Sequence, residues 1–244
     1  MKKIIIDGSS LNIKEVINVA INNYFVAIEP NAIQKIKNSQ TYISQQVQER
    51  KIIYGVTTGF GPNADKRIPI KDAELLQHKL LISHSCGVGN GFSREMVRAI
   101  MLIRMNTLLA GHSGIRIQTI KLLLQFLNHH IHPFVPEQGS VGASGDLTPL
   151  SYLAAALIGE RDVIYKGEVR PTSDVYKELG INPIKLKPKE GLALMNGTSV
   201  MTALACIAYK RAEYLAQLST KITAMVSVGM QGNDFHFDEA LFAV

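Results

Sequence analysis

Residues 199–230 read SVMTALACIAYKRAEYLAQLSTKITAMVSVGM, a mostly apolar stretch with no proline and no glycine before Gly229. Helix propagation is cooperative, and proline and glycine are its chief interruptions, so the stretch predicts one helix from Ser199 to about Met230, longer than the globular average. Such a helix usually packs in a bundle or at an oligomer core. The fold class follows: mainly α, with a helix-rich N-terminal head and minor β-elements leading into a long-helix bundle. Residues 1–198 form the expected head and 199–244 the start of a central bundle. Residues 232–244 break the pattern with Phe235, Phe237 and Phe242 and no polar tail, so the chain reads as stopping mid-fold.

Upstream of the long helix, Gly191 to Gly197 reads as irregular and Thr172 to Leu179 as one short helix. Asp162 to Arg170 alternates about Lys166-Gly167, which suits a tight hairpin. The stretch GSVGASGD at 139–146 is a glycine-rich loop whose Asp146 can cap a helix beginning at Leu147. Pro133 and Pro136 end a helix running from about Ile117 to His129. Helical spacing recurs from Arg94 to Ala110 and from Asp72 to Ser85. In the former, Ile100, Met101, Leu102 and Ile103 cover nearly the whole circumference, which marks a buried helix. The stretch GVTTGFGP at 55–62, with three glycines and a proline, reads as an ordered loop entered by a β-prone piece, Lys51 to Tyr54. Pro30 fits the first turn of a helix running toward Arg50. Ser9-Ser10 offers a cap for a helix near 13–22, and Ile4 to Ile6 reads as a short strand.

At 244 residues and 46% hydrophobic composition the chain can bury a substantial core. Its N-terminus has only three isoleucines before Asp7, too few for a signal peptide, and no later apolar run is expected to span a bilayer, which predicts a cytoplasmic protein. Cys86 and Cys206 are far apart and lack the close pairing of zinc or dithiol motifs, so they read as free thiols. The net charge of +6 is scattered, without a recognised basic motif, and predicts no nucleic-acid partner. His129, His130 and His132 lack ligand spacing and an acidic partner, so no metal is expected. They read as positive side chains at a helix C-terminus.

Taken alone, the loop at 139–146 could be a connector or an anion site. It is not a Walker loop, since no Gly-Lys-Ser/Thr follows, and Asp146 stands where a nucleophile elbow needs its second glycine. The tripeptide Ala143-Ser144-Gly145 permits backbone chemistry instead. Glycine leaves its amide nitrogen unshielded, so a tight turn could bring that nitrogen of Gly145 onto the carbonyl carbon of Ala143. Loss of water and elimination of the Ser144 hydroxyl would then give a conjugated, electron-poor alkene.

Four stretches agree in order and approximate spacing with one family: GSVGASGDLTPL at 139–150, YGVTTGFG at 54–61, SHSCGVG at 83–89 and EGLALMNGT at 190–198. They resemble the aromatic amino-acid ammonia-lyases and aminomutases, and among these the histidine ammonia-lyases, over essentially the whole chain. The resemblance implies that Ala143, Ser144 and Gly145 cyclise to methylidene-imidazolone (MIO) with no external cofactor, so that residues 1–198 are an MIO-bearing head. It implies that Tyr54, which alone reads as a packed aromatic, is the base removing a substrate β-proton, a task that calls for a phenol pKa below its usual value of about 10. Asn196, otherwise a turn or cap residue, would bind the MIO carbonyl or the substrate. Ser83 and His84 would contact the substrate ring, and Gly61 and Asp146 would support the site.

By the same resemblance the protein would be a homotetramer with shared active sites, converting L-histidine to trans-urocanate. A tyrosine or phenylalanine ammonia-lyase or aminomutase is the alternative within the family. Further site residues, an arginine, a glutamine and a glutamate, would lie beyond Val244. The competing class is an inactive assembly module that keeps the motif without making MIO.

Overall fold

The computed structural model describes residues 2–243. Met1 and Val244, the outer limits of the two expected domains, lie outside them. The elements in chain order are β1 (Lys3–Ile6), α1 (Ile13–Ala20), β2 (Phe25–Ile28), α2 (Pro30–Gln48), α3 (Ala73–His84), β3 (Val88–Gly91), α4 (Arg94–Leu109), α5 (Ile117–Asn128), β4 (His132–Pro133), β5 (Pro136–Gln138), α6 (Leu147–Leu157), β6 (Asp162–Tyr165), β7 (Glu168–Pro171), α7 (Thr172–Leu179), α8 (Glu190–Met195) and α9 (Ser199–Gly229). The fold is mainly α. Contacts divide it into two compact units, Met1–Leu204 and Ala205–Val244.

The first unit is organised about α4, in which Val97, Ala99, Ile100, Met101, Leu102, Met105, Leu108 and Leu109 are all at most 1% exposed. A helix apolar on every side must be covered on every side, and α1, α2 and α5 pack against it. The β-elements are small: β1 and β2 pair in parallel, β3 pairs with β5, and β4-β6-β7 form an antiparallel sheet. Lys166 and Gly167, at φ 53° and 86°, turn the expected hairpin. Beside this core, α3, α6 and α8 pack on one another and carry the candidate site.

In the second unit, the rest of α9 is followed by 3-10 turns at Asp234–Phe237 and Glu239–Phe242. Asn233 and Asp238 open these turns by accepting the N–H groups of Phe235 and Ala240. Leu215, Met225, Val228, Phe235, Phe237 and Phe242 are exposed.

Several local expectations are corrected. The cap of α1 is Asn12, in a reciprocal capping box with Glu15, whereas Ser9 and Ser10 donate their amides to Asp7 and hold its carboxyl well below the usual range. Residues 51–54 form no strand, because Thr57 occupies their backbone: its hydroxyl donates to the Lys51 carbonyl at 2.6 Å and accepts the Ile53 N–H at 2.8 Å. Part of the stretch expected to be irregular at 191–197 is the helix α8, anchored at its start by buried Glu190. The helical stretch Glu190–Gly229 is, by length and composition, apolar enough to cross a bilayer, contrary to the expectation that no run is. Half of its most apolar window is buried within the fold.

Candidate active site

Residues 139–146 form a loop leading into α6. Gly142 and Gly145 lie at φ 68° and 87°, in the region that disfavours side chains, and Ala143 and Gly145 meet as an isolated backbone bridge across Ser144. A Cβ on Gly145 would also stand 2.7 Å from the Gly197 oxygen, so backbone angle and space both demand glycine. The Ser144 side chain is exposed.

Asp146 ends the loop, but it does not cap the helix that follows it. Its Oδ2 accepts the N–H groups of Val200 and Met201 at 2.9 and 3.0 Å, and Oδ1 accepts the Ser140 hydroxyl at 3.3 Å. Its own N–H donates to the Gly197 carbonyl at 2.7 Å. The carboxylate therefore caps α9 rather than α6, placing negative charge at the positive end of the longer helix. In doing so it ties the tripeptide loop to the segment containing Asn196.

Beneath that segment lies Arg104, 2% exposed on α4. Its Nη2 donates to the Ala193 carbonyl and, at 2.8 Å, to the Asn196 carbonyl, groups left without helical partners at the end of α8. A Cβ on Gly197 would collide with Nη1 of Arg104. Burial pulls this guanidinium down to about 10, partly offset by the Asp146 charge, so it stays protonated at neutral pH. Its Nε has no partner among the described residues. The Asn196 side chain is exposed and its amide makes no hydrogen bond there, so it is available to a ligand.

Tyr54 is 54% exposed, with its ring edge-on to Phe60 and its hydroxyl accepting the Gly61 N–H at 3.1 Å. Fully buried Gln77 on α3 holds this loop to α8: it donates to the Gly55 carbonyl and accepts the Leu192 N–H, each at 3.2 Å. Ser83 and His84 end α3. The Ser83 hydroxyl donates to the Leu80 carbonyl, and His84 Nδ1 lies 2.9 Å from that carbonyl and 3.0 Å from the Ser83 oxygen. A carbonyl only accepts, so Nδ1 carries the proton, and in the neutral ring Nε2 is left as an acceptor.

The structure thus joins Ala143–Gly145, Asp146 and Asn196 in one contiguous assembly. It places Tyr54 and His84 on neighbouring elements bridged through Gln77 and through a Ser85–Ser151 hydroxyl contact at 3.0 Å. No hydrogen bond among the described residues joins Tyr54 or His84 to the tripeptide. Gln77, Arg104 and Glu190 were missed in the sequence. Glu190, 1% exposed, accepts from Arg116, Thr119 and the Lys187 N–H, fixing the start of α8. A polar residue inside an apolar helical pattern was the available signal.

The histidine cluster is also corrected. His132 is buried and held down to about 3, and His130 is lowered as well, each by burial first and then by Arg98. The positive group at the end of α5 is Arg98, which donates to the Leu127 carbonyl at 2.9 Å.

The sequence model of the aromatic amino acid lyase family matches residues 11–244. The chain belongs to that family. It is 46% identical over 98% of its length to a histidine ammonia-lyase of Bacillus velezensis, spanning 46% of that protein. Among solved structures it is similar to a tyrosine aminomutase of Streptomyces globisporus (39% identity, TM-score 0.88, covering 92% of this chain and 42% of that one). It is also similar to an ergothionase of Treponema denticola (33% identity, TM-score 0.92, covering 99% and 48%). The chain thus spans about half the length of the curated relatives it matches. The MIO group that the family resemblance implies fits the residues present, since the 143–145 bend and the glycine-only space at Gly145 are what a ring through those backbone atoms requires.

Proposed function

We propose that this chain carries the electrophile-forming half of an ammonia-lyase that eliminates ammonia from L-histidine to give trans-urocanate. The protein would act as a cytoplasmic homotetramer, with residues 199–244 opening its central bundle and no external cofactor. The observation that carries this reading is the tight bend at Ala143-Ser144-Gly145, packed at Gly145 against Gly197. Ring closure would join the Gly145 nitrogen to the Ala143 carbonyl carbon and expel that oxygen as water. A second water would leave with the Ser144 hydroxyl and its α-hydrogen. The finished MIO supplies an electron-poor alkene that takes up charge no ordinary side chain accepts.

The remaining steps fall to the chain's own residues. Tyr54 removes the substrate β-proton, its oxygen oriented by the Gly61 N–H. Asn196 offers its free side-chain amide to the developing charge, while Arg104 fixes its backbone. His84 presents an acceptor Nε2, which suits an imidazole N–H or a phenol O–H and gives a phenyl ring no partner. The curated relative named for histidine favours imidazole.

The test is the intact mass of the assembled full-length protein, expected to be lower by two waters and accompanied by near-ultraviolet absorption. Histidine, tyrosine and phenylalanine are then supplied separately and the conjugated acid detected. An unmodified tripeptide would leave the assembly-module reading, and a modified protein giving no urocanate would eliminate histidine as substrate.

A further inference from the structure

We infer that Arg104 is the positioning residue for ring closure, holding Gly197 against Gly145 from the opposite side to the tripeptide. This inference rests on the proposed function and extends it to a residue outside the motif. Arg104 sits within a helix whose neighbours Ile100, Met101, Met105 and Leu108 are fully buried, and it forms no ion pair among the described residues. A charge placed in an apolar core without a direct ion pair is costly, and here the Asp146 charge offsets that cost only in part, leaving the rest to the arginine's hydrogen bonds. Arg104 directs its bonds at the Ala193 and Asn196 carbonyls, on either side of the α8 terminus.

The consequence is a stack three layers deep. The guanidinium occupies the space a Gly197 side chain would need, and the Gly197 carbonyl in turn occupies the space a Gly145 side chain would need. Gly197 is not at positive φ, so its lack of a side chain is required by Arg104 and not by its backbone angle. Asp146 closes the stack, donating its N–H to the same Gly197 carbonyl. The arginine therefore sets how far Gly197, and with it the Gly145 amide, stands from the Ala143 carbonyl. Displacing it by an ångström is enough to slow an intramolecular reaction by on the order of 10²-fold.

The experiment follows the two-water mass loss over time in the full-length protein and in Arg104→Lys, Arg104→Met and Gly197→Ala, each with its thermal midpoint. Lysine keeps the charge and can donate from one nitrogen, as Nη2 does, but lacks the planar guanidinium whose Nη1 fills the space beside Gly197. All three variants are expected to close on the order of 10²-fold more slowly than wild type, with Gly197→Ala doing so while the helical circular dichroism is unchanged. In Arg104→Lys the additional effect of Gly197→Ala is expected to shrink, since the obstructing Nη1 is gone. If wild type loses two waters and Gly197→Ala closes at the wild-type rate, the inference is overturned whatever the arginine variants do to folding. An unmodified wild type would instead sink the proposed function.

Discussion

Asp146 gives the most direct handle on how the loop and α9 are joined. Its carboxylate accepts two backbone N–H groups, from Val200 and Met201, at 2.9 and 3.0 Å. A hydrogen bond to a charged acceptor contributes roughly 1.5–3 kcal/mol, and here that figure already includes the attraction between the carboxylate and the helix terminus. Asp146→Ala removes both bonds and strands the buried Val200 N–H, for a loss of about 3–5 kcal/mol. Asp146→Asn keeps an oxygen facing the same donors and loses only the charge, about 1–2 kcal/mol. For a chain of this size each kcal/mol lowers the melting temperature by roughly 2–4 °C, so the alanine variant should melt about 6–20 °C below wild type and the asparagine variant between the two. Thermal unfolding followed by circular dichroism measures this. An alanine variant melting within about 1 °C of wild type, or below which the asparagine variant falls, would refute the assignment of Asp146 as the cap of α9.

Three further outcomes are expected. His132 is held down to about 3 in the folded chain against 6.5 in its absence, so between those values the unfolded state binds the extra proton. Its contribution is complete above pH 6.5 and is lost as pH falls toward 3, by up to about 1.4 kcal/mol per pH unit; urea unfolding from pH 4 to 7 should show a shallower slope in His132→Leu, and identical slopes would refute the point. Gln77→Leu leaves the Gly55 carbonyl and Leu192 N–H unpaired and should cost ~2–4 kcal/mol by the same urea assay, with a loss below ~0.5 kcal/mol counting against its bridging role. Tyr54→Phe in the full-length protein should lower kcat by on the order of 10²–10⁴ with the two-water mass loss intact, and a wild-type kcat would exclude it as the base.

The helices were legible because their signals are local. The 3.6-residue spacing located α3 and α4, Pro133 and Pro136 closed off α5, Pro30 marked the start of α2, and the lack of breakers gave α9 its length. What the sequence concealed depends on partners far along the chain. Strand β3 exists because Val88 pairs with Gln138, and β2 because Phe25–Ile28 lies beside β1. The helix α8 hides in a glycine-containing stretch because its anchor, Glu190, is held by Arg116 and Thr119.

The candidate site divides along the same line. The tripeptide, Tyr54, Ser83, His84 and Asn196, with Gly61 and Asp146 as supports, were proposed from motifs, whereas Gln77, Arg104 and Glu190 were not. Asp146 stands next to one helix start and caps another, a choice made by its own backbone, at ψ 56°, which turns the carboxylate away from α6. Arg104 belongs to no motif, and only the folded arrangement shows what it holds.

The contacts that brace Gly145 and Asp146 come from Gly197, Val200 and Met201, residues translated later. On a nascent chain the reactive bend therefore has no backing until synthesis has passed Met201, a delay of a few seconds at about 5–20 residues per second. Under the proposed chemistry the electrophile appears only after folding, so an unfolded or half-made polypeptide does not expose it to the thiols and amines of the cell.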